Sequence, residues 1–203
     1  MQIKLYKNDL PNSIKLNNII AIDTEAMGLN HQRDRLCLIQ ISSGNGICHL
    51  VKIENINDKP KNLIKIFKNK NIQKIFHYAR FDVGILKHTY NINIANIYCT
   101  KIASKLTRTF TDKHGYKDLC QDLIGKTILK NEQTSDWGAK KLTLNQQKYA
   151  ATDVLYLHKI KNKLDTLLIR EDRMEIAKAC FNFIEYRTDL DLLGWSDQDI
   201  FQH

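Results

Sequence analysis

Three short stretches of this chain carry residues able to do chemistry. The first, Asp23-Thr24-Glu25, closes the apolar run Ile19-Ile20-Ala21-Ile22. If that run is a buried strand, residues i and i+2 share a face, and both carboxylates project together from its end. Two anions held side by side repel, and a divalent cation relieves that most easily. Hard oxygen donors favour Mg²⁺ or Mn²⁺. A solvated strand end would carry the same two acids, so the pair alone decides little. The second stretch is Tyr149-Ala150-Ala151-Thr152-Asp153. It follows Thr143-Leu144-Asn145-Gln146, a capping box that opens a helix, so Tyr149 and Asp153 stand one turn apart on one face. A phenol beside a carboxylate can position a water molecule; a plain amphipathic helix with a boundary tyrosine reads the same way. The third is His77-Tyr78-Ala79-Arg80-Phe81-Asp82, where Asp82 falls in the first turns of a helix and complements its dipole in any case.

The elements that must position these groups follow from periodicity. Ile19–Ile22, Leu36–Ile41 and Ile47–Val51 read as strands joined by short links, with Ser42-Ser43-Gly44-Asn45-Gly46 as a turn, which suggests an antiparallel meander. Ile72–Phe76 and Ile97–Cys99 read as fourth and fifth strands. Helical spacing covers Asn62–Asn69, Arg80–His88, Thr100–Leu106 and Lys117–Ile124. A long helix is expected from Thr143 to about Leu168, and a last amphipathic one from Arg170 to Tyr186. A block of strands followed by alternating strands and helices makes an α/β domain with a mixed five-stranded sheet flanked by helices.

Composition narrows the classes. In 203 residues, 31 Lys and Arg against 22 Asp and Glu leave a net charge of +9, which favours a polyanionic partner, nucleic acid before an anionic membrane surface. A lysine-biased genome would produce the same surplus. Two prolines and eight glycines exclude a collagenous or Pro/Gly-rich chain. The apolar runs are too short to span a bilayer, so no membrane partner is expected. Five cysteines, an odd number with no C-x-x-C pair, fit reduced thiols rather than a disulfide framework or a zinc site. With no apolar core to an N-terminal signal, a cytoplasmic location is expected.

Taken together, the three stretches resemble the exonuclease motifs of the DEDD superfamily, and Tyr149-x-x-x-Asp153 resembles its tyrosine-bearing subclass. Thr134-Ser135-Asp136-Trp137-Gly138, followed by Leu142, Gln147 and Tyr149-Ala150-Ala151, is similar to ribonuclease D. The resemblance covers about residues 10–168. It implies a ribonuclease H-like fold and 3′→5′ hydrolysis of single-stranded nucleic acid with two divalent metal ions, Mg²⁺ or Mn²⁺. By that analogy Asp23, Glu25 and Asp153 hold the metal that activates water, Asp23 also bridges to the second, Asp82 holds the second largely through water, and Tyr149 orients the attacking water. Thr24, Leu29, His77, Arg80, Trp137 and Lys140, with Lys141, are candidate substrate contacts. For Leu29 and Trp137 the competing role is core packing, and for His77 support of a strand–helix junction.

The resemblance implies an exonuclease domain over 1–168 and a C-terminal helix and tail over 169–203 packed on it. Cys99-Thr100 stands where ribonuclease D often has Asp-Thr, and Lys140-Lys141-Leu142 where it often has Arg-Pro-Leu. HRDC domains, usual in ribonuclease D, are not expected in a chain ending at His203. The implied activity is a metal-dependent 3′→5′ exoribonuclease releasing nucleoside 5′-monophosphates in RNA maturation, tRNA processing included, or in decay. The alternatives are a DNA 3′→5′ exonuclease and an inert nucleic-acid-binding module. The implied partners are single-stranded RNA or DNA 3′ ends. The chain is expected to be a monomer, or a weak homodimer through Leu190–Trp195, whose apolar residues otherwise cover the core.

Overall fold

The computed structural model describes residues 1–128, 132 and 134–203. Six strands form one sheet: β1 (Gln2–Lys7), β2 (Ile19–Ala26), β3 (Leu36–Ser42), β4 (Ile47–Lys52), β5 (Gln73–Phe76) and β6 (Ile97–Cys99), in the order β1-β4-β3-β2-β5-β6. The meander is present, with β2 antiparallel to β3 and β3 antiparallel to β4. β5 runs parallel to β2, and β6 parallel to β5. The sheet has one strand more than the five expected. β1 pairs in parallel with β4 at the edge, and none of its residues is buried, so its sequence lacks a clean apolar face. β3, by contrast, is buried at all seven positions, as a strand covered on both faces must be.

The helices are α1 (Lys61–Lys68), α2 (Ala79–Tyr90), α3 (Thr100–Thr107), α4 (Tyr116–Ile124), α5 (Leu144–Leu155), α6 (Leu157–Arg170) and α7 (Met174–Leu190), followed by a π-type turn over Asp191–Trp195. α5 lies against β2, β3 and β4, while α7 packs on α2, α3 and β6. Among the described residues, no helix is long and apolar enough to cross a membrane. The five cysteines are free thiols, four of them buried.

The long helix expected from Thr143 is two. It breaks at Tyr156, where a side chain from α4 intervenes: the Tyr116 hydroxyl donates to Thr152 O at 2.7 Å and accepts from the Tyr156 N–H at 3.3 Å. The last helix begins at Met174 rather than Arg170 because Asp172 takes a left-handed φ of 52°. The tail also differs from expectation. Of Asp191–Trp195 only the Asp191 side chain is largely covered, and Leu193 and Trp195 are exposed, so the apolar residues of the tail do not form a cover over the core.

The capping box forms as read. Gln146 N–H donates to Thr143 Oγ1 at 3.1 Å, and Thr143 N–H donates to Gln146 Oε1 at 2.9 Å. Gln146 Nε2 also donates to Asp136 O at 3.1 Å, tying the loop before α5 to the helix that carries Asp153. Thr143→Ala removes one reciprocal bond and should lower stability by about 1 kcal/mol in denaturant melts. An unchanged midpoint would show that the cap adds nothing.

Candidate active site

β2 is a central strand, with Ile20, Ala21 and Ile22 wholly buried, and it emerges from the core at Asp23. The register with β3 shifts between Glu25 and Ala26, a bulge of the kind that re-aims side chains at a strand end. Asp153 arrives from α5. One carboxylate oxygen from each of Asp23, Glu25 and Asp153 lies within 4.8 Å of the others.

Asp82 sits in the first turn of α2 and is 2 % exposed. The Thr24 hydroxyl, on the strand position between the two β2 acids, donates to Asp82 Oδ1 at 2.7 Å. Tyr78, which precedes α2, holds a left-handed φ of 64°. A bulky residue pays strain there, and the distortion lies between His77 and the helix that carries Asp82.

The electrostatics follow from burial and crowding. Burial, then Asp82, Asp153 and Glu25, push Asp23 well above the usual carboxylate range. Burial with Asp153 and Asp82 pushes Glu25 up to about 9. Asp82 is raised to about 7, mainly by burial, although its Thr24 bond pulls the other way. The Tyr149 phenol is raised by burial and by Asp153, Glu25 and Asp23, so it stays a protonated donor at neutral pH. Clustered hard oxygen donors that resist ionising together suit a divalent cation such as Mg²⁺ or Mn²⁺.

These groups line a cavity of about 570 Å³. Leu29 stands at its rim, 84 % exposed, so it is not a core residue. Trp137 also borders the cavity while being 2 % exposed, with its ring centroid 6.0 Å from that of Tyr149. His77 lies on the wall. The Thr100 hydroxyl is donated to Phe76 O at 3.2 Å, so His77 Nδ1 donates to Thr100 Oγ1 at 2.9 Å, which braces the β5–α2 junction.

Three candidate substrate contacts have other partners or lie beside the cavity. The Thr24 side chain is turned to Asp82 and positions it. Arg80 faces the C-terminal tail: Nε and Nη2 donate to the two Asp191 carboxylate oxygens at 2.7 Å each, and Nη2 also reaches Ser196 O at 2.7 Å. Lys140, with Lys141, lines a neighbouring cleft. Sequence reasoning missed Tyr116, Phe81 and Met27, which also line the cavity. Tyr116 lies between motifs, and only the fold brings it near.

The family model described as 3′-5′ exonuclease matches residues 6–169. The chain belongs to the 3′-5′ exonuclease family. Within it, the exonuclease is a ribonuclease D-like member of the DEDD group. It is 47 % identical to Brucella melitensis NrnC bound to pGG, covering 100 % of this chain and 99 % of that one, with a TM-score of 0.95. It is 46 % identical to the same organism's NrnC with bound Mg²⁺, over 100 % of both chains, with a TM-score of 0.94. Ribonuclease D of Acidiphilium cryptum is 31 % identical over 175 residues, 84 % of this chain but 44 % of that protein. The exonuclease therefore spans less than half the length of that ribonuclease D.

Two expectations follow for the exonuclease. Unfolded carboxylates titrate near pH ~4, so the raised Asp82 and Glu25 favour the folded state while protonated. That stability is full below about pH 4 and is lost as pH rises through about 7 and about 9. Mg²⁺ competes with those protons, so the rise in Tm on adding Mg²⁺ should grow from acid to alkaline pH. A shift that is flat or shrinks would contradict the reading. Separately, Asp191 answers both Arg80 and Arg187, and its side chain is 5 % exposed. Asp191→Asn should cost about 2 kcal/mol by thermal melts, less than a fully buried pair because Arg80 is a third exposed. A loss within experimental error would show that the tail is not anchored by charge.

Proposed function

We propose that this chain is a metal-dependent 3′→5′ exoribonuclease acting on single-stranded RNA ends and releasing nucleoside 5′-monophosphates. The observation that carries the reading is the meeting of Asp23 and Glu25 of β2 with Asp153 of α5 within 4.8 Å and next to buried Asp82. Asp23, Glu25 and Asp153 would hold one divalent ion, and Asp23 with Asp82 a second. Two such ions, when bound, stabilise the attacking and leaving oxygens of an in-line displacement at phosphorus.

The chain's own groups do the rest. The Tyr149 hydroxyl, kept protonated, offers a hydrogen bond that orients the attacking water toward the phosphorus beside Asp153. Thr24 fixes the rotamer of Asp82. Leu29 presents an apolar edge at the rim where a terminal base would be wedged, and His77 forms part of the wall. The pGG seen on the Brucella protein supports short 5′-phosphorylated strands, dinucleotides among them, as substrates.

A 5′-labelled strand with Mg²⁺ should yield a descending ladder, and a 3′-phosphate should stop it. Internal cuts or release from the 5′ end would refute the direction. DNA of equal sequence, run in parallel, decides whether the 2′-hydroxyl is read. Asp23→Asn should lower turnover by at least about a thousandfold while strand binding persists, because the loss disturbs both ions. A folded Asp23→Asn chain with near-normal turnover would remove the two-ion assignment. Tyr149→Phe, which removes only the hydroxyl, should lower kcat by about a hundredfold with little change in KM.

A further inference from the structure

The catalytic cavity offers a nucleic acid no cation of the chain's own. Among its described lining residues are Asp23, Glu25, Asp82 and Asp153, and no Lys or Arg. Bound cations answer the scissile phosphate, but phosphates further along a strand need cations from the chain itself.

A second cleft, of about 710 Å³, lies next to the cavity. Its charged lining is Lys7, Arg35, Lys52, Lys140 and Lys141 against Glu54. The two depressions share a wall at Gly138. A Cβ built there would meet Met27 Sδ, on the cavity side, at 2.6 Å, and Arg35 Nη2, on the cleft side, at 3.1 Å. Gly138 therefore lies against a residue of each lining, and any side chain there would crowd them.

Two cations of the cleft, Lys52 and Arg35, are held in place by carbonyls but not by a counter-ion. Lys52 is 6 % exposed, and its ammonium donates to Ala139 O. The Arg35 guanidinium donates to Ile53 O at 3.4 Å and to Gly138 O at 3.3 Å. Both therefore have carbonyl acceptors. Among the described residues, none of Arg35, Lys52, Lys140 and Lys141 makes an ion pair, whereas Lys7 is matched by Glu54 at 3.1 Å. A buried ammonium without a counter-ion is costly, and an anion in the cleft would remove that cost.

We propose that this cleft is a second phosphate-binding site, which takes the backbone of a single-stranded RNA upstream of the residue in the catalytic cavity. This rests on the exonuclease reading of that cavity. Lys52 and Arg35 form the floor, tied to the loop that separates the two depressions. Lys140 and Lys141 follow on the same loop, and exposed Lys141 extends the basic lining to the surface. A strand would have to reach past Gly138 to engage the cleft, so the site is expected to act on strands longer than a dinucleotide.

The test is strand binding by the full chain in the Asp23→Asn background, using a labelled dinucleotide and a labelled dodecamer from low to physiological salt. Lys141→Glu, an exposed substitution, should raise the dodecamer Kd about tenfold and flatten its salt dependence. The dinucleotide Kd should move less than about twofold. Lys52→Met should show the same length-selective loss; because it also removes the bond to Ala139 O, its Tm is measured alongside, and the Lys141→Glu result decides. Equal loss for both lengths, or no loss for the dodecamer, overturns the proposal. So does a length-selective loss in Lys101→Glu instead, the lysine that lies over the Tyr78 ring at the cavity wall. If the wild-type chain degrades the dodecamer and the Asp23→Asn chain binds it while Lys141→Glu matches that binding, the cleft alone fails. If no strand of either length binds or is cut, the exonuclease reading fails with it.

Discussion

Mutual repulsion among four carboxylates is the constraint on which the rest of this structure depends. Left to relax, Asp23, Glu25, Asp82 and Asp153 would turn apart into water, so the fold must hold them together against their own field. It does so by placing each on a rigid element. β2 is hydrogen-bonded on both sides, by β3 and β5. α5 starts from a complete capping box and lies across the sheet. α2 presents Asp82 in its first turn, where the helix dipole and the Thr24 hydroxyl both favour an anion. The repulsion that remains shows as raised proton affinity, and that same excess makes the cluster receptive to divalent cations.

The placement of α2 is coupled to the far end of the chain. Arg80 lies two residues before Asp82, and its guanidinium is clamped by Asp191 and Ser196 O. The tail reaches the loop after β2 as well, since Gln32 Nε2 donates to Leu192 O at 2.9 Å. On that loop His31 packs against Phe81, with ring centroids 5.0 Å apart, and it comes so close to Gly84 that a Cβ there would lie 2.6 Å from its ring. The glycine in α2 is thus required by the approach of a histidine from the Leu29 loop. Tail, loop and helix meet around one buried carboxylate, so the rim of the cavity is positioned by residues that do not line it.

What was legible in the sequence is what local spacing encodes. Alternation along a strand paired Asp23 with Glu25, and one helical turn paired Tyr149 with Asp153. The capping box located α5 to the residue. Ion pairs across the fold leave no such trace: Arg80 and Asp191 are separated by 111 positions, so an arginine inside a nuclease motif read as a phosphate ligand. β1 was invisible because an edge strand with no buried residue needs no strong apolar pattern. The break at Tyr156 was equally silent, because the Tyr116 hydroxyl that accompanies it belongs to another helix. Trp137 lies in an irregular loop, where no periodicity reports burial, and the structure gives it both of its candidate places: it is buried and it borders the cavity.

The distribution of charge explains why a chain of net charge +9 can carry so acidic a centre. A uniformly basic surface would attract nucleic acid everywhere and align it nowhere. Here the catalytic cavity is acidic and the neighbouring cleft basic, with Gly138 and the Arg35 side chain between them. Without divalent cations the cavity presents phosphate with carboxyl groups alone, whereas the cleft presents it with cations in either state. On the proposed reading, cation loading would change the charge of only one of the two neighbours. A strand would then be held before the centre is competent, and its scissile phosphate would enter the cavity favourably only once the ions are in place.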